Sequence, residues 1–149
     1  MGFFDKIRKG RLFFGKKEFP VIVKFFFRGQ TFILEEFDVE FRQATDEKNR
    51  PSGEMSGGLI TITISDPPGE QLTEWMINPY EKREGEFRFL RNENKIQEGA
   101  LLHIFFREAC CTEYHKVAHP HGAGLLTTLV ISPRQVRIGN EEFENQWKS

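Results

Sequence analysis

Two adjacent cysteines and three of the chain's four histidines fall within the run REACCTEYHKVAHPHG, Arg107 to Gly122. These are the residue types that ligate metals or pair as nucleophile and base, so their spacing decides what they can do. Neighbours on a strand point to opposite faces, so Cys110 and Cys111 cannot grip one ion together, and a disulfide between them would be strained. His119-Pro120-His121 has the H-x-H spacing with which two imidazoles on one strand face bind a divalent ion beside a carboxylate. No acidic residue follows before Glu141, however, and neither C-x-x-C nor a compact Cys2His2 set is present. A Cys111 nucleophile would need a base, and His115, four residues on, is roughly 13 Å away along an extended strand. No P-loop, dinucleotide fingerprint or nucleophile elbow occurs. The reading is a protein that is not an enzyme and carries no cofactor. The alternative kept open is a small metal- or ligand-binding β-barrel acting through His115, His119 and His121.

The elements around this run are mainly strands. EFPVIVKFFFRGQTFILEEFDVEFRQ reads as two long strands joined by a tight turn at Arg28-Gly29. In the second strand Phe32 and Leu34 fall on even positions and Phe37, Val39 and Phe41 on odd ones, so the flip at Glu35-Glu36 predicts a bulge. Residues 44–57, ATDEKNRPSGEMSG, have no periodicity and read as a long exposed loop, too long for a mere connector. GLITITIS alternates cleanly, with Ile60, Ile62 and Ile64 on one face and Thr61, Thr63 and Ser65 on the other. Leu72, Trp75 and Met76 then form one apolar stripe of a short helix that Pro79 stops. Further strands are expected in GEFRFLR, ALLHIFFREACCTEYHKV, LLTTLVIS and RQVRIGNEEFENQW, the last folded as a hairpin at Gly139-Asn140. On simple alternation Cys110 joins Leu102, Ile104 and Phe106 in the core, and Cys111 lies with Phe105, Ala109 and Glu113 opposite. The expected fold is mainly β, a β-barrel with one short flanking α-helix.

At 149 residues the chain fits one such barrel. Its net charge of -1 gives no reason to expect nucleic acid as a partner, and no segment approaches the length of an apolar membrane-spanning helix. Charge is uneven along the chain. Residues 1–18 carry +4, leaving -5 on the rest. This divides the chain into a basic, phenylalanine-rich N-terminal arm, 1–18, and a barrel domain, 19–149. Phe3, Ile7 and Phe14 fall roughly on one helical face, so the arm reads either as an amphipathic helix or as a flexible extension. Its charges interrupt the apolar residues, unlike a secretory signal.

From about Val21 onward the chain resembles the type VI secretion tube proteins, the haemolysin-coregulated protein or TssD-like family of Bacteroidetes-type systems. The resemblance rests on FDVEFRQATD, then RPSG, then GGLITITI, then LTEWMINP before the short GEFRF, and on the closing LTTLVISPRQVRIGNEEFENQW. It implies a barrel similar to phage tail-tube proteins, assembling into hexameric rings that stack into the inner tube of a contractile machine. It also implies partners among the sheath, spike and effector proteins, and assembly in the cytoplasm followed by export through the apparatus. In such a tube the segment after the second strand reaches neighbouring subunits, which makes Asp46, Lys48, Asn49, Arg50, Pro51, Ser52 and Gly53 the candidate interface residues. The Thr61, Thr63 and Ser65 face is a candidate wall of the lumen. The N-terminal arm departs from the family pattern and raises the alternative of a specialised paralogue that caps the tube or adapts it to a partner.

Overall fold

The turn at Arg28-Gly29 joins two long strands, Lys17–Phe27 and Gln30–Thr45. The structure, a computed structural model, describes residues 7–8, 11–14, 17–65, 67–78, 80–91, 101–122 and 124–145. Arg28 and Gly29 both have positive φ, 47° and 82°, which is the backbone of a two-residue hairpin turn whose twist matches its flanking strands. Phe27 and Gln30 face each other across it.

In chain order the elements are β1 (Ile7–Arg8), β2 (Arg11–Phe14), β3 (Lys17–Phe27), β4 (Gln30–Thr45), β5 (Pro51–Ile64), α1 (Gly69–Ile77), β6 (Arg83–Arg91), β7 (Leu102–His119), β8 (Gly124–Ser132), β9 (Gln135–Ile138) and β10 (Glu141–Glu144). Every pairing is antiparallel. β3 pairs with β4, β4 with β5, β5 with β8, β8 with β7, β7 with β6, and β6 returns to β3, so the sheet closes on itself. The expected barrel with one short helix is what the chain forms. β9 lies on β7 beside residues 104–107, and β10 folds back on β9 at Gly139-Asn140, as the sequence predicts.

Closure needs strands that bend, and the bends are written in glycines and phase flips. The predicted bulge is present: β4 slips against β5 between Leu34 and Glu36. A second slip falls between Glu40 and Phe41, opposite Gly57-Gly58, whose φ values are +123° and +71°. A Cβ on Gly57 would lie 2.6 Å from the Glu40 carbonyl oxygen, so only glycine lets the strands approach there.

The core follows from register. Phe32, Phe25, Phe87 and Ile104 are successive partners across β4, β3, β6 and β7, which sets the Phe25 and Phe87 rings stacked at 4.7 Å. A fully buried phenylalanine is worth about 1.5–3 kcal/mol relative to leaving it in water, and three of the four buried side chains in this row are phenylalanines. α1 closes one side. Its Leu72 and Trp75 are fully buried, with the indole stacked 5.1 Å from Phe27 and its Nε1 donating to the carbonyls of Glu81, at 2.9 Å, and Ala109, at 3.2 Å.

Three expectations change. Residues 44–57 are not a long loop. β4 and β5 continue as a two-stranded ribbon to Thr45 and Pro51, and only residues 46–50 turn. The two cysteines exchange places: Cys111 is buried and Cys110 half-buried. The cause is an irregularity at Glu108, whose φ of 48° shifts the phase, so that Ile104 and Phe106 are followed inward by Ala109 and Cys111. In the N-terminal arm, Ile7 and Phe14 stand in strands β1 and β2 rather than on a helix, and Phe3 lies outside the described residues.

Candidate assembly surface

The tip of the β4–β5 ribbon is built around one carboxylate. Asp46 Oδ1 accepts hydrogen bonds from the backbone N–H of Lys48 at 2.8 Å and of Arg50 at 2.9 Å, and Oδ2 accepts from Arg50 Nε at 2.9 Å. The Arg50 backbone bond, with those of Lys48 and the Arg50 side chain, holds this carboxyl below its ordinary range. Asn49 takes the left-handed conformation, φ 61°, that such a turn requires. Of the candidate interface residues, Asp46 and Arg50 are therefore tied to each other. Lys48, Asn49, Pro51 and Ser52 are exposed, and Gly53 lies in β5 as it leaves the turn.

Below the tip lies a four-stranded antiparallel sheet in the order β4-β5-β8-β7. One face is the core. The other is read directly from register: Glu36, Thr63, Thr128 and His115 form one row, and Asp38, Thr61, Val130 and Glu113 the next. The Thr63 and Thr128 hydroxyls meet at 3.0 Å, and Ser65 donates to Glu35 at 2.9 Å. This second face is mostly polar, with an acid at the β4 end of both rows and a second acid, Glu113, at the β7 end of one.

Along most of both borders of this sheet no further strand ladder forms among the described residues. β3 pairs with β4 only at residues 30–33, so from Leu34 to Thr45 the strand laddered to β4 among the described residues is β5, with β1 coming near on the other side. β6 pairs with β7 only as far as Ala109, so Cys110 to His119 have β8 on one side alone. The latter border is about 30 Å long at the usual rise per residue. Open edges of this length are a liability that proteins normally cover.

One further edge is covered within the chain. Beyond its pairing with β8, the β5 edge at Gly57 is taken by Asn145. Its side chain accepts from Gly57 N at 3.3 Å and donates to Gly57 O at 2.7 Å and to Pro133 O at 2.9 Å, while its own N–H donates to Arg134 O at 2.7 Å. Nothing in the sequence singled out this residue. A lone asparagine in NEEFENQW carries no pattern, and only the register brings it to Gly57.

The residues that prompted a metal or nucleophile reading do not converge. His115 and His119 are exposed on the outer half of β7 and His121 in the turn that follows. No group of three or more His, Cys, Asp or Glu side chains comes together to hold an ion among the described residues. Burial pushes the Cys111 thiol up to about 11, and its Sγ contacts the Glu113 carbonyl at 3.4 Å. A thiol so raised is a poor nucleophile. His103, on the inner half of β7, is used otherwise: its Nδ1 lies 2.9 Å from Glu86 Oε1, which also accepts from Arg88 Nε at 2.6 Å. Burial alone would raise the Glu86 carboxyl, but these bonds outweigh it and hold the group below its ordinary value.

Comparisons with known proteins agree with this geometry. The family model for the hemolysin coregulated protein Hcp (TssD) matches residues 19–148. Among solved structures the chain is similar to Hcp1 from Flavobacterium johnsoniae, with 26% identity, a TM-score of 0.75, and coverage of 83% of this chain and 99% of that one. It also shares its fold with a mutant Hcp1 from E. coli EAEC 042, at 12% identity and a TM-score of 0.63, covering 87% and 99% of the two chains. No curated protein matches it by sequence search. A barrel with two open borders, matched by the family model over nearly all of its length, belongs to the hemolysin coregulated protein family, Hcp (TssD), the type VI secretion tube proteins.

Proposed function

We propose that the chain is a structural subunit of a type VI secretion inner tube, joining copies of itself into hexameric rings that stack and carry effectors in the lumen. One observation carries this reading: the β4-β5-β8-β7 sheet is open at both borders, and its strand count is even. Because the strands alternate in direction, the β7 border of one copy meets the β4 border of the next in antiparallel sense, continuing the ladder without a break. Such head-to-tail pairing of two different borders closes into a ring when the rotation allows it. The number six follows from the family resemblance.

In this arrangement the core face of the sheet, with the rest of the barrel behind it, lies outward, and the polar rows line the hole. Thr61, Thr63, Ser65 and Thr128 supply hydroxyls to hold water, and Glu36, Asp38 and Glu113 make the wall acidic. The ribbon tip, Asp46 to Gly53, projects beyond the closed part of the barrel, where it reaches the adjacent subunit or ring. The protein's role is mechanical and not catalytic. Its partners are further copies of itself and the sheath, spike and effector proteins, met after assembly in the cytoplasm and export through the apparatus. Residues 1–18 are an arm appended to this barrel, in keeping with a family match that begins at residue 19.

Negative-stain microscopy and sedimentation of the purified full chain test the proposal. Annular particles with a stain-filled centre are expected, in equilibrium with smaller species as the protein is diluted. A strict monomer at every concentration, with no annuli, would refute it.

A further inference from the structure

The arm is laid where assembly would need room. Two residues separate Phe14 from its partner Lys17, and two separate Phe27 from its partner Gln30. In hairpins this short the flanking residues exchange backbone hydrogen bonds. Lys17 and Phe27 thus both turn their N–H and C=O toward a hairpin partner, and β3 runs unbroken between them. They are an even number of residues apart, so both face the same edge of β3. β2 and β4 share that edge, and β6 takes the other.

β4 uses the edge only at residues 24–27 of β3 before it bends away at the Glu35-Glu36 bulge. β2 pairs with residues 17–20, so it fills the notch that the departing β4 leaves. β1 folds back on β2 and approaches β4. The side of β4 reached in this way is its open border. Charge favours the placement, because the arm carries +4 and the exposed residues of β4 include Glu35, Glu36, Asp38 and Glu40. The family match starts only after the arm, so the barrel common to the family does without it.

We infer that the β1–β2 arm is an edge guard: in the free subunit it occupies the β4 border, and it must lift away before the β7 border of a second copy can pair there. This rests on the ring reading above. The guard acts by competition, so whatever displaces the arm, whether a neighbouring copy at high concentration or an acidic partner surface that attracts its charges, starts polymerisation.

The test compares the full chain with its Leu12→Pro variant. Leu12 pairs with Phe19, whose backbone faces the same edge as that of Lys17, so proline there removes a ladder donor while leaving every charge in place. Circular dichroism monitors the barrel, and sedimentation velocity across a dilution series gives the concentration at which assembly begins. The expected result is an onset about tenfold lower for the variant, the change that 1.4 kcal/mol produces. A chain lacking residues 1–16 serves as second variant and is expected to shift in the same direction. Equal onsets for all three would overturn the guard and leave the ring reading standing. Loss of assembly in the variants alone would overturn it too, by showing that the arm helps association. Failure of all three to assemble would overturn both readings.

Discussion

Replacing Asn145 tests whether a single side chain closes the β5 edge. Its three side-chain bonds, to Gly57 N, Gly57 O and Pro133 O, join two stretches of chain that no ladder connects. A net value near 1 kcal/mol for each bond sets an upper figure of about 3 kcal/mol. The site is only partly buried, so water recovers some of this in the alanine variant, and N145A is expected to cost about 2 kcal/mol. N145D separates geometry from chemistry. It has the same shape, but at neutral pH it can only accept, and two of the three partners are carbonyl oxygens. N145D is therefore expected to be the less stable of the two at pH 7. The carbonyls favour its neutral form, so the introduced carboxyl titrates above its unfolded value, and the variant regains stability as pH falls through that raised value. Urea unfolding at fixed protein concentration measures both effects. With a slope of about 2 kcal/mol/M, N145A shifts the midpoint by about 1 M. A negligible shift for N145A, or an N145D midpoint at or above that of N145A at pH 7, would refute the clip.

Gly85→Ala places a Cβ 2.6 Å from Phe106 Cζ and 3.0 Å from Phe25 Cε1, so it is expected to cost about 1–3 kcal/mol by thermal melting, with both rings displaced. Glu86 titrates low in the folded protein because Arg88 and His103 hold its charged form. The stability it contributes is present above the ordinary glutamate value and is lost as pH falls through the lowered one, so E86Q is expected to flatten the acid limb of a stability profile.

Much of the fold was legible because burial imposes alternation. Ile60, Ile62 and Ile64 announce their strand, the switch from Leu34 to Phe37 announces a bulge, and Leu72, Trp75 and Met76 announce the helix. The misread segments lack that pressure. From Thr45 to Ser52 the ribbon and its turn are exposed apart from the half-buried Asp46, so no buried side enforces a pattern there and the turn formers Asn, Pro, Ser and Gly dominate the reading. At 107–111 the phase shift passes through Arg, Glu, Ala, Cys and Cys, in which the two cysteines are equally fit for an inward position. The assembly surface was legible only by resemblance. An open border is a missing partner, and a missing hydrogen bond leaves no mark on a side chain.

β7 belongs at once to the barrel's own closure and to the wall it would share with other copies, and Ala109 sits where it passes from one to the other, held there by the indole of Trp75. The outer half of that strand is thus joined to the helix through its own backbone, the Trp75–Ala109 hydrogen bond and the stacking of Trp75 on Phe106. Replacing that indole, as in W75F, would take the donor from the Ala109 carbonyl at the point where the strand changes roles.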